Sequence, residues 1–242
     1  MRSIAKLMKD WQFTGPNGVT TAVELPHTWN ARDGQDGGND YWRGCCTYCT
    51  RFAAPVYDPA QQQVWLQFEG VNASAAVLLN GQQLCTHDGG YSTFRAEVTE
   101  LLQAENQLTV RVDNSVNDRV YPQKADFTFY GGIYRPVSVL VVKKHHIALG
   151  HFGDTGVKIT PDLKEGSADI QVETLVEGEG TVAVELLDAE GNSVARGEGS
   201  KASLHLDAPH LWNGVKDPYL YTCIVRLMQD GKPVDEVTTK VG

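Results

Sequence analysis

The sequence has no apolar run approaching the roughly 20 residues that a membrane-spanning helix needs; Val139 to Val142 stays far short of it. No membrane partner is expected. The opening residues MRSIAKLMKDWQF carry positive charge, but no apolar block of signal-peptide length follows, so the chain reads as cytoplasmic. Basic residues are also in short supply: 21 Lys and Arg stand against 30 Asp and Glu, a formal net charge of -9. An acidic balance spread along the chain disfavours a nucleic-acid or anionic-membrane surface and leaves a neutral partner easier to accept.

Cysteine is sparse. Cys45, Cys46, Cys49, Cys85 and Cys223 are an odd set without the spacing of a disulfide framework, which fits a reducing compartment. CCTYC looks like a metal cluster at first sight. In a strand, however, Cys45 and Cys49 share one face while Cys46 takes the other, and no second Cys/His pair stands at zinc-finger spacing. Small buried or half-buried hydrophobes are the better reading. Helical periodicity is missing too, and so are a G-x-S-x-G elbow, a Gly-rich phosphate loop opening a helix and an H-E-x-x-H pair.

What remains is period-two alternation, the mark of an all-β chain. Val64, Leu66 and Phe68 alternate with Trp65, Gln67 and Glu69, and Leu108, Val110 and Val112 with Thr109, Arg111 and Asp113. Each segment reads as a half-buried strand. In VLLNGQQLC, Asn80-Gly81 has the composition of a two-residue hairpin turn, in which both residues take positive φ. One helical turn is expected around VTELLQAEN, with Thr99 as cap and Leu101 and Leu102 packing.

The texture changes at KKHHIALGHFGDTG, which places a domain boundary near Lys144 and gives domains 1–144 and 145–242. The first, with eight or more strands expected and long connections such as NARDGQDGGND and NSVNDRVYPQKADF, matches a jelly-roll sandwich. The second carries about seven strands in about a hundred residues, the pattern of an immunoglobulin-like sandwich without its disulfide. His145 and His146, adjacent in a strand, project to opposite faces and do not chelate together.

Three stretches mix aromatics with amides and acids, as a sugar site on a β-sandwich requires. They are LPHTWNARDGQDGGNDYWRG, with Trp29, Tyr41 and Trp42; HDGGYSTFRAEVTELL; and ADFTFYGGIYRPVSVLVV, where Asp126 precedes four aromatics, a Gly-Gly pair and an uninterrupted strand from Ile133 to Val142. Each also reads as the rim of a sandwich core. On residues alone, a binding or structural module outranks an enzyme.

The order LPHTWN, YWRG, YCTRF, then LQFEGVNASAAVLLNGQQLCTHDGGYSTFRAEVTELL, NQLTVRVDNS, DFTFYGGIYRPVSV and finally LWNGVKDPYLYT resembles the front portion of glycoside hydrolase family 2. That family includes β-galactosidases, β-glucuronidases and β-mannosidases. The resemblance covers essentially the whole chain. It implies a jelly-roll sugar-binding-like domain, an immunoglobulin-like sandwich and, beyond them, a (β/α)₈ barrel that bears both catalytic glutamates. Val237, Thr239 and Val241 still alternate as the sequence stops, as in a piece of something longer. On this reading no catalytic residue lies between Met1 and Gly242, and the chain alone does not hydrolyse glycosides. Its parent would be a retaining exo-β-glycosidase with a covalent glycosyl-enzyme intermediate.

One role carries over by resemblance. An acid opening the pattern D-x-x-x-x-x-G-I-x-R, here Asp126 with Gly132, Ile133 and Arg135, is implied to contact the terminal sugar or to help hold a bound cation, while Arg135 ties the loop down. DYWRG and DFTFYGGIYRPV look most like the β-galactosidase branch, so the expected partner is a β-linked terminal galactose met together with the barrel; glucuronidase and mannosidase activities stay open. Magnesium or sodium in the parent enzyme is compatible with the resemblance, but no complete metal shell is visible and no cofactor is assigned. Members often form oligomers through these sandwiches, so a homo-oligomer is also compatible. The competing readings are a free-standing carbohydrate-binding module and a structural interaction module.

Overall fold

Alternation becomes burial in the strand Cys45–Ala53, where Cys46, Tyr48, Thr50 and Phe52 are buried and the residues between them are not. The computed structural model describes residues 1–33, 41–122 and 125–242. Apart from one 3-10 turn at Thr99–Leu101, every regular element among the described residues is a strand, and the fold is an all-β sandwich type. Two compact units emerge: Ile4–Val141, and Val142–Gly242 together with Met1–Ser3.

In the first unit a six-stranded sheet runs in the order Thr20–Val23, Trp11–Thr14, Cys45–Ala53, Glu105–Asp113, Ser74–Leu79, Gln82–Asp88. A four-stranded sheet orders Ser3–Lys6, Val137–Lys143, Gln62–Phe68 and Phe94–Glu97. Register aligns Phe13, Tyr48, Val110 and Val77 in one row across the larger sheet. They share a core with Val64, Leu66, Phe68, Val137, Val139 and Val141 of the smaller one. Each such side chain contributes roughly 1.5–3 kcal/mol through burial.

The expected hairpin forms: Asn80 (φ 52) and Gly81 (φ 83) join Ser74–Leu79 to Gln82–Asp88. Asn80 is more than a turn residue, because its Nδ2 donates to Leu101 O at 3.2 Å and its Oδ1 accepts from the Gln107 N–H at 2.9 Å. The turn at Thr99 is present, but Thr99 does not cap it. Val98 holds the capping position without a side-chain bond; the Thr99 hydroxyl instead accepts the Val64 N–H at 3.0 Å and donates to Glu97 Oε1 at 2.8 Å. Leu101 and Leu102 pack against the core as expected.

CCTYC behaves as strand. Cys45 and Cys49 lie on the outer face, and Cys46 lies in the core, where burial pushes its thiol up to about 12.

In the second unit a three-stranded sheet, Val157–Lys164, Ser167–Thr174 and Lys201–Asp207, shares a core with a four-stranded sheet ordered Ser193–Glu198, Thr181–Leu187, Tyr221–Gln229 and Lys232–Val241. The chain crosses between sheets after Thr174, returns after Glu198 and crosses again after Asp207. Its buried residues are in phase with the alternation: Ala168, Ile170, Val172 and Thr174 on one strand, and Val182, Val184 and Leu186 on another. Pro161 is accommodated because Val157–Lys164 is an edge strand, where a missing N–H need not break a ladder.

His145 and His146 diverge as expected. His146 is buried and its Nδ1 donates to Lys143 O at 2.9 Å, whereas His145 Nδ1 accepts the Glu179 N–H at 2.8 Å. Met1–Ser3 groups with this unit through Arg2. Its guanidinium meets Asp235 at 2.7 and 2.5 Å and donates to Ile147 O at 3.2 Å, while Asp235 also accepts the Ile147 N–H at 2.8 Å.

Candidate functional site

The three aromatic stretches meet in the first unit, around the residues that follow Asp126. Two glycines explain the approach. A Cβ on Gly131 would lie 2.0 Å from Trp29 Cζ2, and one on Gly132, whose φ is +143, would lie 2.3 Å from His27 O. The Gly-Gly pair therefore admits the segment His27–Trp29 against the backbone. It does not lead into an uninterrupted strand: Gly132–Ile133 pairs with Val71–Asn72, and the chain leaves strand geometry at Tyr134 to Pro136 before Val137–Lys143 begins.

Outside a ladder, the backbone polar groups of residues 129 to 131 need other partners. Buried asparagines supply three of them. Asn114 Nδ2 donates to Phe129 O at 3.1 Å, Asn72 Nδ2 donates to Tyr130 O at 2.7 Å, and Asn30 Oδ1 accepts the Gly131 N–H at 2.7 Å. Gly131 O accepts from Thr28 Oγ1 at 2.8 Å and from the Trp29 N–H at 3.3 Å.

The amides are also linked to each other and to the YWRG stretch. Asn114 Nδ2 donates to Asn30 Oδ1 at 3.2 Å, Asn114 Oδ1 accepts the Gly44 N–H at 2.9 Å, and Asn30 Nδ2 donates to Trp42 O at 2.8 Å and Asp33 Oδ2 at 2.7 Å. Both acceptor and donor capacity of Asn30 are filled, so its amide orientation is determined. An orphaned partner in such a place costs about 1–3 kcal/mol.

The second stretch joins the same frame. The Tyr134 hydroxyl donates to Gly90 O, and a Cβ on Gly90 would meet Asn72 Oδ1 at 2.2 Å. Arg135 ties the loop down as expected, donating to Tyr91 O at 3.1 Å and Glu69 O at 3.4 Å. Arg43 lies over the rings of Tyr41 and Phe129 at 5.4 and 5.2 Å, and Trp29 meets Trp42 edge-on at 6.0 Å.

The aromatics after Asp126 divide. Phe129 is buried, whereas Phe127 and Tyr130 are exposed, as are Tyr91 and Tyr121. Asp126 itself is exposed, and it makes no hydrogen bond or ion pair among the described residues. Beside Phe129 a cleft of about 10 Å³, lined in part by Arg43, Asn72, Tyr91, Asn114 and Tyr121, has room for about one water and none for a sugar ring. Asp126 lines neither that cleft nor the wider open groove of about 430 Å³ along Phe13, His27 and Trp29. Of the first stretch, residues 34–40 lie outside the described residues. Among the described residues no group of three His, Cys, Asp or Glu side chains is placed to hold a metal ion.

The asparagines escaped the sequence reading, although one carried a signal. Asn114 continues the buried phase of Leu108, Val110 and Val112, and Asn106 begins it. A polar residue in phase with a core stripe calls for a buried partner.

Residues 38–174 match the family model described as glycosyl hydrolase 2 galactose-binding domain-like, and residues 151–242 match that of glycosyl hydrolases family 2. The chain belongs to glycosyl hydrolase family 2. It is 32% identical to a β-glucuronidase of Bacteroides fragilis over 98% of this chain and 37% of that protein. It is 29% identical to a β-galactosidase of Thermoanaerobacter pseudethanolicus over 75% of this chain and 26% of that protein. The crystal structure of an FMN-binding β-glucuronidase from Facaelibacterium prausnitzii L2-6 superposes with a TM-score of 0.93 at 35% identity, covering 100% of this chain and 39% of that one. The chain thus spans little more than a third of the length of the first of these relatives.

Proposed function

We propose that this chain forms one non-catalytic wall of the sugar site of a retaining exo-β-glycosidase, and that Asp126 is the residue of that wall which meets the terminal sugar. The observation that carries the reading is an exposed carboxylate three residues ahead of a backbone held by buried amides. An ionised carboxylate only accepts hydrogen bonds, and a pyranose offers hydroxyl donors around its ring. Phe127 and Tyr130, both exposed, offer aromatic faces to the C–H groups of such a ring. The acid/base and nucleophilic carboxylates belong, on this proposal, to the barrel of the complete enzyme.

The names of the relatives support a terminal β-linked galactosyl or glucuronosyl group as the substrate. The two sugars differ at C6, a hydroxymethyl in one and a carboxylate in the other, and nitrophenyl derivatives of both separate them. In the complete enzyme, Asp126→Ala is expected to lower kcat/KM on the preferred sugar by about tenfold to a hundredfold, the range of a charged hydrogen bond, with the thermal midpoint unchanged. Unchanged kinetics on both substrates would remove Asp126 from the site.

A further inference from the structure

Asn114 is 1% exposed and stands immediately after the strand Glu105–Asp113, fixed in position by that strand's ladders to Cys45–Ala53 and Ser74–Leu79. Its Oδ1 accepts the Gly44 N–H at 2.9 Å, which leaves Nδ2 to donate, and Nδ2 reaches both Asn30 Oδ1 at 3.2 Å and Phe129 O at 3.1 Å. Phe129 is also where the chain turns inward: the residue is 7% exposed, and its ring lies 5.0 Å from that of Phe127, which is exposed. The Phe129 carbonyl is therefore the last anchored backbone group before the exposed residues that lead back to Asp126.

We propose that Asn114 is a positioning residue for Asp126. It contacts no sugar; through Phe129 O it sets where the preceding three residues leave the sandwich, and so where the carboxylate stands. This rests on the reading of Asp126 as a sugar contact. A carboxylate free to swing would lose most of its value to a bound sugar, because misplacement on the order of 1 Å is enough to cost about a hundredfold in rate.

The test is a double-mutant cycle in the complete enzyme, with kcat, KM and thermal midpoint measured for Asn114→Ala, Asn114→Asp, Asp126→Ala and both doubles. Asn114→Asp keeps the size and the acceptor for the Gly44 N–H while losing both amide donations, so it remains informative if Asn114→Ala does not fold. Either single Asn114 variant is expected to lower kcat/KM about tenfold or more at a temperature where the enzyme is folded, chiefly through KM. In the Asp126→Ala background the same change is expected to add almost nothing, because its route to the substrate is already gone. Losses that multiply in the double variants, or kinetics in folded Asn114→Asp equal to those of the parent, overturn the positioning role. Failure of the underlying reading shows elsewhere, as an Asp126→Ala single variant with unchanged kinetics.

Discussion

Gly131 and Trp29 claim the same space: a Cβ on the glycine would sit 2.0 Å from Trp29 Cζ2 and 2.5 Å from Cε2. The indole in turn stacks on Phe13 at 6.0 Å, within reach of the core. Gly131→Ala is expected to destabilise the protein by about 1–3 kcal/mol, the range for overpacking, and Trp29→Leu to relieve part of that cost. Gly132→Ala is expected to cost more, because its obstacle is the His27 carbonyl at 2.3 Å and its φ of +143 disfavours a side chain. Thermal midpoints of the three single variants and the Gly131/Trp29 double check the order; equal costs at the two glycines would refute it.

Arg2 and Asp235 form a second long-range pair, 233 residues apart in sequence, with the carboxylate 1% exposed. Removing one partner from a buried ion pair leaves an uncompensated charge and costs about 3–5 kcal/mol. Arg2 keeps some contact with solvent, so Arg2→Ala is expected near the lower end, about 3 kcal/mol. Asp235 also holds the Ile147 amide at 2.8 Å. Hydrogen exchange at Ile147 should accelerate sharply in Asp235→Ala, and less in Arg2→Ala, where the carboxylate remains to accept that amide.

Much of this fold could be read from alternation, since burial on a strand follows parity. Val64, Leu66 and Phe68, and Ile170 and Val172, are core residues for that reason. Asn80-Gly81 was legible because a tight hairpin needs two positive φ values in a row. The frame of the candidate site was not, because its bonds join side chains to backbone atoms across distances no local pattern encodes: Asn114 to Asn30 spans 84 residues, and Asn30 to Gly131 spans 101. Thr99 was misread for the same reason, its hydroxyl serving a strand 35 residues away. The composition around Asp126 marked it as a candidate, one acid beside four aromatics and a Gly-Gly pair, but only the resemblance set it apart from the other acids beside turns, since an exposed acid there has no distinguishing period or spacing.

His205 should make the second unit sensitive to pH. Its ring is hydrogen-bonded to Asp169 at 2.6 Å and to Asp207 at 3.3 Å, and these carboxylates raise its pKa above the ordinary 6.5. A histidine that binds its proton more tightly when folded contributes stability in full below about 6.5, and that contribution is lost as the pH rises through the folded pKa. Asp169, whose pKa is depressed by His205 and Lys164, contributes in the opposite sense and loses its share as the pH falls through its folded value. The pair is exposed, so the effect on the thermal midpoint is small and is best read by NMR. The His205 ring should titrate above 6.5, and Asp169→Asn should bring it down; an unmoved midpoint would contradict the assignment.

Thiol accessibility gives a direct check on the strand phase of CCTYC. Burial pushes Cys46 up to about 12 and Cys223 up to about 11, so both hold their protons and lie out of reach of reagents. Cys45 is exposed on the opposite face. The thiolate is the reacting form, and burial together with Asp113 raises the Cys45 thiol as well, so with iodoacetamide at pH 8 Cys45 is expected to label slowly in the native protein through its exposure, and Cys46 and Cys223 only after denaturant is added. Native labelling of Cys46 ahead of Cys45, read by peptide mass, would place the strand one residue out of register.

The isolated chain distinguishes the wall of a shared site from a self-sufficient binding module. Sites that hold a small molecule tightly bury most of its surface in an enclosed pocket. The residues after Asp126 instead offer the exposed rings of Phe127 and Tyr130, and the cleft beside Phe129, which Asp126 does not line, holds only about 10 Å³. Calorimetry of the 242-residue protein with methyl β-galactoside or methyl β-glucuronide is expected to show dissociation constants of about 1 mM or weaker, no more than about 4 kcal/mol of binding free energy. Nitrophenyl derivatives of the same sugars are expected to remain intact, since the proposal puts the two reacting carboxylates in the barrel. Micromolar binding by the chain alone would favour the free-standing module. Turnover at an ordinary enzymatic rate would require a pair of catalytic acids within the chain and would overturn the assignment of chemistry to the barrel.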